Sequence, residues 1–394
     1  MIPGTSAKIC GPGRGVTLRD VGTSMLSGRG RGKVKITALR TGIVRLPLSR
    51  PILSATLEIR STDAVVVFVD TDQGVTGEGL CFAINGNRLE LLRDMVRSFE
   101  PLLIGLDPTM GASFYKRAWS DIGFFSHAGM SIAGLAGVDT ALWDLRGRAA
   151  GLNVSRLIGA AATAVPVYAS GGLWLSSSID ELQREAADFV ARGFRAIKMR
   201  VGSRPVTWNI ERVRAVREAI GPDVKLMADA NQSLSVPEAI RLGRALEEFG
   251  LDWFEEPLPY WNHAGEAEIA AALDTPIASG ETEYTSRGIL TMLQMKSADV
   301  LMPDLQRMGG PTEFIRAGHL AAAFDVKLSS HLFSEMSLPL LAAAPNAYIL
   351  EHMPWFEPIY AERIELDGEG RAIVPDRSGW GFSFDLDAVR GHGG

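Results

Sequence analysis

The spacing of apolar and polar positions changes character twice along the chain. From about residue 35, β-branched and aromatic residues dominate, and AVVVFVDTDQGVTGEGLCF predicts a hairpin turning at Asp72-Gln73-Gly74. Between about 86 and 160 the period becomes helical. There MSIAGLAGVDTALWDLRGRAAG predicts a helix of small residues that packs closely on a neighbour. Together these segments predict a compact α+β domain.

After residue 164 short β-rich runs alternate with amphipathic helical segments. The strand candidates are VPVYAS (165–170), RAIKMRV (195–201), VKLMADA (224–230), LDWFEE (251–256), TPIASGE (275–281), DVLMPD (299–304), DVKLSSH (325–331) and AYILEH (347–352). Ser235 and Glu238 predict a capping box around Pro237, and Gly250 closes that helix. Ile210, Val213, Val216 and Ile220 form a helical stripe ended by Gly221-Pro222. Eight such units imply a parallel sheet, and eight strands close a barrel. A doubly wound open sheet is the competing architecture. It would bring a glycine-rich turn after its first strand, of which YASGGLW is a poor version.

In a (β/α) barrel the C-terminal ends of the strands face the active site. Here they carry Lys198 and Arg200, Asp229, Glu255, Glu281, Asp304, His331 and Glu351, in strand order. Asp229, Glu255 and Glu281 are each separated by 26 residues, one strand–helix unit. Three carboxylates converging from adjacent strands call for a hard divalent cation, Mg²⁺ first for an all-oxygen, partly hydrated site. Any one acid closing a strand is more often a solvated turn residue or a cap, and Glu256 suits a supporting or helix-entry role as well as ligation. A run of ionisable residues at consecutive strand ends is harder to assign to chance.

Composition narrows the function classes. The 394 residues are 46% hydrophobic and 22% charged, with a formal net charge of −6, which gives nucleic-acid or anionic-membrane binding no global electrostatic support. Cys10 and Cys81 cannot build a disulfide framework or a thiolate zinc site and fit a reducing cytoplasm. No apolar run approaches the roughly 20 residues that span a bilayer. Residues 1–34, rich in Gly, Ser and Arg, read as a disordered tail without a secretory h-region. Its GPGRGV lacks the strand before and the Gly-Lys-Ser/Thr after that a phosphate loop needs.

The set Lys-x-Arg, MADANQS, WFEEP, SGE, MPD, SSHLFSE and LEH resembles the mandelate racemase subgroup of the enolase superfamily, over roughly residues 35–385. The resemblance implies a modified (β/α)7β TIM-like barrel (161–352) beneath an α+β capping domain (35–160). A C-terminal segment (353–394) would return to the cap, and loops near 45–62 and 82–90 would close over substrate. It further implies that Asp229, Glu255 and Glu281 hold one Mg²⁺ and that His331, oriented by Asp304, is the base removing the proton α to a carboxylate. Such enzymes stabilise the resulting enediolate with Mg²⁺, as is general for the superfamily. Glu351 would share or donate a proton to the substrate carboxylate, Lys198 would add positive charge there, and Asn231 and Ser170 would contribute hydrogen bonds.

One departure carries the functional expectation. Many relatives have Lys-x-Lys, whose second lysine is a base on the face opposite the histidine; here Arg200 stands in that place. Arginine, with a pKa above about 12, is a poor proton acceptor. A racemase needs two working bases and a dehydratase needs one. The expectation is therefore dehydration of a small-molecule sugar acid, aldarate ahead of aldonate, to a 2-keto-3-deoxy acid. Arg45, Arg50 and Arg60 in the capping loop are candidate substrate contacts, Arg50 foremost. The alternatives are a 2-hydroxy-acid racemase or epimerase and, more remotely, a non-catalytic sugar-acid-binding barrel. By resemblance the protein would be a homo-oligomer, a dimer or an octamer, with no nucleic-acid or membrane partner.

Overall fold

The computed structural model describes residues 34–393 apart from residue 203; the expected tail, residues 1–34, lies outside the described residues except for Val34. The N-terminal layer is an antiparallel sheet of four strands, β1 (Ile36–Val44), β2 (Pro47–Leu53), β3 (Glu58–Thr71) and β4 (Thr76–Ile84). The long β3 pairs with all three others, and the β3–β4 hairpin turns where the residue pattern places it, with Gly74 at φ 74°. The helix Gly129–Ala150 lies across β4. Glycines allow that approach: a Cβ added at Gly79 would stand 2.6 Å from the Gly137 carbonyl oxygen.

Eight parallel strands follow: β5 (Ala164–Ala169), β6 (Ala196–Arg200), β7 (Lys225–Asp229), β8 (Leu251–Glu255), β9 (Ile277–Ser279), β10 (Val300–Leu301), β11 (Lys327–Ser329) and β12 (Ala347–His352). They hydrogen-bond in sequence order and β12 returns to pair with β5, so the sheet is a closed barrel and not an open doubly wound sheet. The capping box at Ser235–Glu238 forms as the residue pattern predicts.

The C-terminal segment divides its contacts. A short strand, β13 (Arg371–Ile373), pairs antiparallel with Ala164–Pro166 of β5. β5 meets β6 through one residue pair, Ala169–Ile197, so its first half has backbone groups to satisfy, and β13 covers them. Beyond it, Trp380 and Phe384 reach the cap. The buried Asp144 accepts from the backbone N–H groups of Trp380 (2.8 Å) and Glu78 (2.9 Å) and pairs with Arg148, joining helix, cap sheet and tail. Asp144→Asn turns one acceptor into a donor facing an N–H, and is expected to cost about 1–3 kcal/mol, read as a lowered melting temperature.

Side chains two apart on a strand share a face, so the barrel interior is built in layers. Tyr168, Ala196, Met227, Trp253, Ala278, Val300, Met302 and Ile349 form a compact apolar cluster. Two residues further along those strands come Ser170, Lys198, Asp229, Glu255, Asp304 and Glu351. An apolar plug thus lies directly beneath a charged layer.

Candidate active site

Lys198 is the hub of the charged layer. Its Nζ is 2.6 Å from Glu255 Oε1, 2.9 Å from Glu351 Oε1 and 3.7 Å from Asp229 Oδ2, all in full burial. Burial works against the ammonium, but Glu255 and Glu351 outweigh it and hold Lys198 well above the ordinary lysine range. At Glu255 burial, helped by the nearby Asp229 and Glu351 carboxylates, raises the pKa to about 8 although Lys198, 2.6 Å away, pulls the other way. Glu351 resists burial through Lys198, His331 and the Leu332 N–H, which donates to Oε2 at 2.6 Å, and so lies well below the usual carboxylate range. That holds Glu351 ionised in the absence of substrate.

The backbone at these strand ends is strained in a way that serves the contacts. Non-glycine residues take positive φ at Asn231 (43°), Gln232 (61°), Glu256 (37°), Leu332 (50°) and Phe333 (49°). Each such residue costs about 1–3 kcal/mol. At Leu332 the turn aims an N–H at Glu351. At Asn231 it aims the backbone N–H at Asp229 Oδ1 (2.8 Å) while Nδ2 donates to Oδ2 (3.0 Å). Asn231 Oδ1 accepts from Ala55 N of the cap loop at 3.4 Å, so this residue ties the loop to the charged layer.

His331 and Asp304 meet as neighbours, Nδ1 to Oδ2 at 2.8 Å, with the opposite nitrogen 3.3 Å from Glu281 Oε2. Burial lowers the imidazole pKa, but Glu281 and the Asp304 hydrogen bond raise it, to about 9. Asp304 also caps the helix Leu305–Met308 through Arg307 N (2.9 Å), which fixes its own position.

The Arg200 guanidinium is buried and engaged on several sides, with Nε 3.6 Å from Asp229 Oδ2. One nitrogen donates to the Ser170 carbonyl (2.8 Å), another to Ser170 Oγ (3.2 Å), and the group stacks on Trp174 at 4.1 Å. Ser170, which accepts from Arg200 at both its carbonyl and its hydroxyl, also helps to lower the Glu351 pKa and so belongs to the layer. Arg50 is not brought to the layer. It pairs with Glu181 (3.0 Å) and Glu185 (2.9 Å) on the helix Ile179–Ala191, because β2 runs beside that acidic helix. Arg45 is taken by Asp63 and Glu90, and Arg60 by Glu58. A crevice of about 410 Å³ lined by Pro47, Ile52, Trp174, Trp355 and His392 lies between cap and barrel, and no residue of the charged layer lines it.

Asp229, Glu255, Glu256 and Glu281 form an all-oxygen, largely buried donor set, and Glu256 keeps a buried Oε1 without a hydrogen-bond partner. That chemistry fits a hard divalent cation. As the side chains stand, no three of His, Cys, Asp or Glu among the described residues converge on one cation position; Lys198 lies among them instead.

Residues 37–159 match the N-terminal domain of mandelate racemase/muconate lactonizing enzyme, and residues 181–388 match the enolase C-terminal domain-like family. The chain belongs to the mandelate racemase-like enolase superfamily. L-talarate/galactarate dehydratase of Salmonella typhimurium is 32% identical over 90% of both chains. D-galactarolactone cycloisomerase of Agrobacterium fabrum is 31% identical over 90% of this chain and 98% of its own. L-talarate dehydratase of Polaromonas sp. JS666, complexed with Mg and L-glucarate, superposes with a TM-score of 0.87 at 33% identity, covering 92% of this chain and 98% of that one. The barrel under an antiparallel cap is therefore the superfamily architecture. Among the described residues no helix is long and apolar enough to cross a membrane.

Three residues support the charged layer or the strand ends around it through contacts that the sequence motifs do not specify. Arg307 donates to the Glu281 carbonyl and to Thr282 Oγ1, both at 2.9 Å, and so braces the β9 end. Gln306 accepts from Phe82 N (2.7 Å) and donates to Phe82 O (3.2 Å), docking the end of β4 on the barrel. Trp253 Nε1 donates to Glu255 Oε2 at 2.8 Å. The signal for the last was available in the i, i+2 spacing on one strand face.

Proposed function

We propose that the protein is a Mg²⁺-dependent hydro-lyase that dehydrates a sugar acid to a 2-keto-3-deoxy acid. The observation that carries this reading is the asymmetry of the site. A His331–Asp304 pair is built for proton transfer, whereas Arg200 is held by Ser170 and Trp174. The acid-sugar dehydratases among the relatives support the same class.

In this reading Asp229, Glu255 and Glu281 hold the cation, which supplies positive charge against the substrate carboxylate and the enediolate charge that develops there. Lys198 adds a fixed charge from beneath. His331 accepts the α-proton at Nε2, with Nδ1–H donated to Asp304. The imidazolium then returns a proton to the β-hydroxyl, which leaves as water, and the enol tautomerises to the keto acid. Glu281 is the largest influence raising the His331 pKa, so neutralising that carboxylate moves the imidazole towards its proton-accepting form. Glu351, between Lys198 and Leu332 N–H, takes up a shared proton when the substrate carboxylate arrives beside it.

The test is a panel of aldonic and aldaric acids incubated with purified protein and Mg²⁺, read by a keto-acid assay. At least one member is expected to yield a 2-keto-3-deoxy acid, and removal of the metal with a chelator is expected to abolish the signal. If none does, yet one exchanges its α-proton in D₂O with inversion, the epimerase reading displaces this one.

A further inference from the structure

We propose that the substrate is a monocarboxylic sugar acid, an aldonate, whose uncharged distal end lies in the crevice between cap and barrel. The inference rests on the dehydratase reading and narrows it, against the aldarate expectation drawn from the capping-loop arginines. Those arginines are all engaged: Arg45 by Asp63 and Glu90, Arg60 by Glu58, and Arg50 by Glu181 and Glu185 together. Of the three, Arg50 alone lines the crevice. Two carboxylates answer its single charge there, at 3.0 and 2.9 Å, so the rim is acidic before any ligand arrives.

The crevice adjoins the charged layer. Gly171 lines it next to Ser170, and Pro354 and Trp355 line it three and four residues past Glu351. Trp174 is common to both, because its ring forms part of the wall and carries the Arg200 guanidinium at 4.1 Å. It also stacks on Trp355, the two planes 10° apart. Indole faces suit the C–H side of a polyol chain and offer a carboxylate nothing. The polar groups of the lining suit hydroxyls. Thr62 is fully buried and keeps Oγ1 without a hydrogen-bond partner, ready to donate to or accept from a substrate hydroxyl. His392 serves a hydroxyl as readily as a carboxylate, and Glu185 accepts from the Leu173 N–H as well as from Arg50. A second carboxylate placed here would shed water without gaining an unmatched cation, whereas a hydroxymethyl group loses little.

Full-chain protein with Mg²⁺ is assayed for keto-acid formation on the six-carbon aldonates, each paired with the aldarate of the same configuration. The best aldonate is expected to exceed its aldarate partner by about 10²-fold or more in kcat/KM. A ratio near one, or one favouring the aldarate, overturns the proposal and leaves the dehydratase reading standing. No turnover in either set removes that reading and the proposal with it. The charge argument is tested separately by the double variant Glu181→Gln/Glu185→Gln. Glutamine keeps the capping-box acceptor for Ser178 N and the acceptor for Leu173 N, while Arg50 loses both of its carboxylates. In the folded variant the aldonate-to-aldarate ratio is expected to fall by about fivefold or more. An unchanged ratio would mean that Arg50 and its two acids do not decide the substrate, and would overturn the proposal.

Discussion

His331→Asn is expected to lower kcat by about 10⁴-fold while the protein still binds Mg²⁺. In the proposed reaction one imidazole both takes the α-proton and returns a proton to the leaving hydroxyl, so its loss removes two proton transfers; one positioned acid or base is worth about 10²–10⁴-fold. Asparagine preserves the hydrogen bond to Asp304 through its amide and leaves the carboxylates of Asp229 and Glu255 untouched. Keto-acid formation on the best substrate of the panel, paired with calorimetric Mg²⁺ titration, separates the two effects. Substantial turnover by the variant would rule out the single-base mechanism and reopen a role for the opposite face.

Lys198→Met should be damaging in two independent ways. Turnover is expected to fall by about 10³-fold, because a preorganised charge beside the developing enediolate is removed. The fold should also suffer, since Glu255 and Glu351 lose a fully buried partner at 2.6 and 2.9 Å. Leaving buried charge unpaired typically costs about 3–5 kcal/mol. Melting curves with and without MgCl₂ test this directly: the variant's melting temperature should drop in the absence of the metal and recover in part when it is added. An unchanged melting temperature would mean that the three carboxylates do not depend on the ammonium.

The barrel was legible because its strands are short apolar runs repeated at a regular interval, and the charged layer was legible because strand ends in a barrel have a fixed destination. Lys198, Asp229, Glu255, Asp304, His331 and Glu351 come together for that reason. What stayed hidden depended on partners chosen across long separations. Arg50 meets Glu181 and Glu185 more than 130 residues away, so its sequence neighbourhood carries no trace of that pairing. β13 is three residues long, too short to show a period, and forms because β5 has backbone groups to satisfy. Arg307 stands in the short helix Leu305–Met308, where a solvated charge is the ordinary expectation, yet it braces Glu281.

The clamp made by Gln306 bears on how the cap is held against the barrel. Its amide grips the backbone N–H and carbonyl of Phe82 and ignores the ring, which packs edge to face on Phe333 and Phe356. The backbone grip is made whatever side chain stands at 82, whereas the ring contacts depend on it. Phe82 thus joins cap and barrel twice, once through its backbone and once through its ring, and the backbone half of that joint stands two residues from Asp304. A substitution at 82 that keeps the backbone in place is expected to loosen that joint by half and no more.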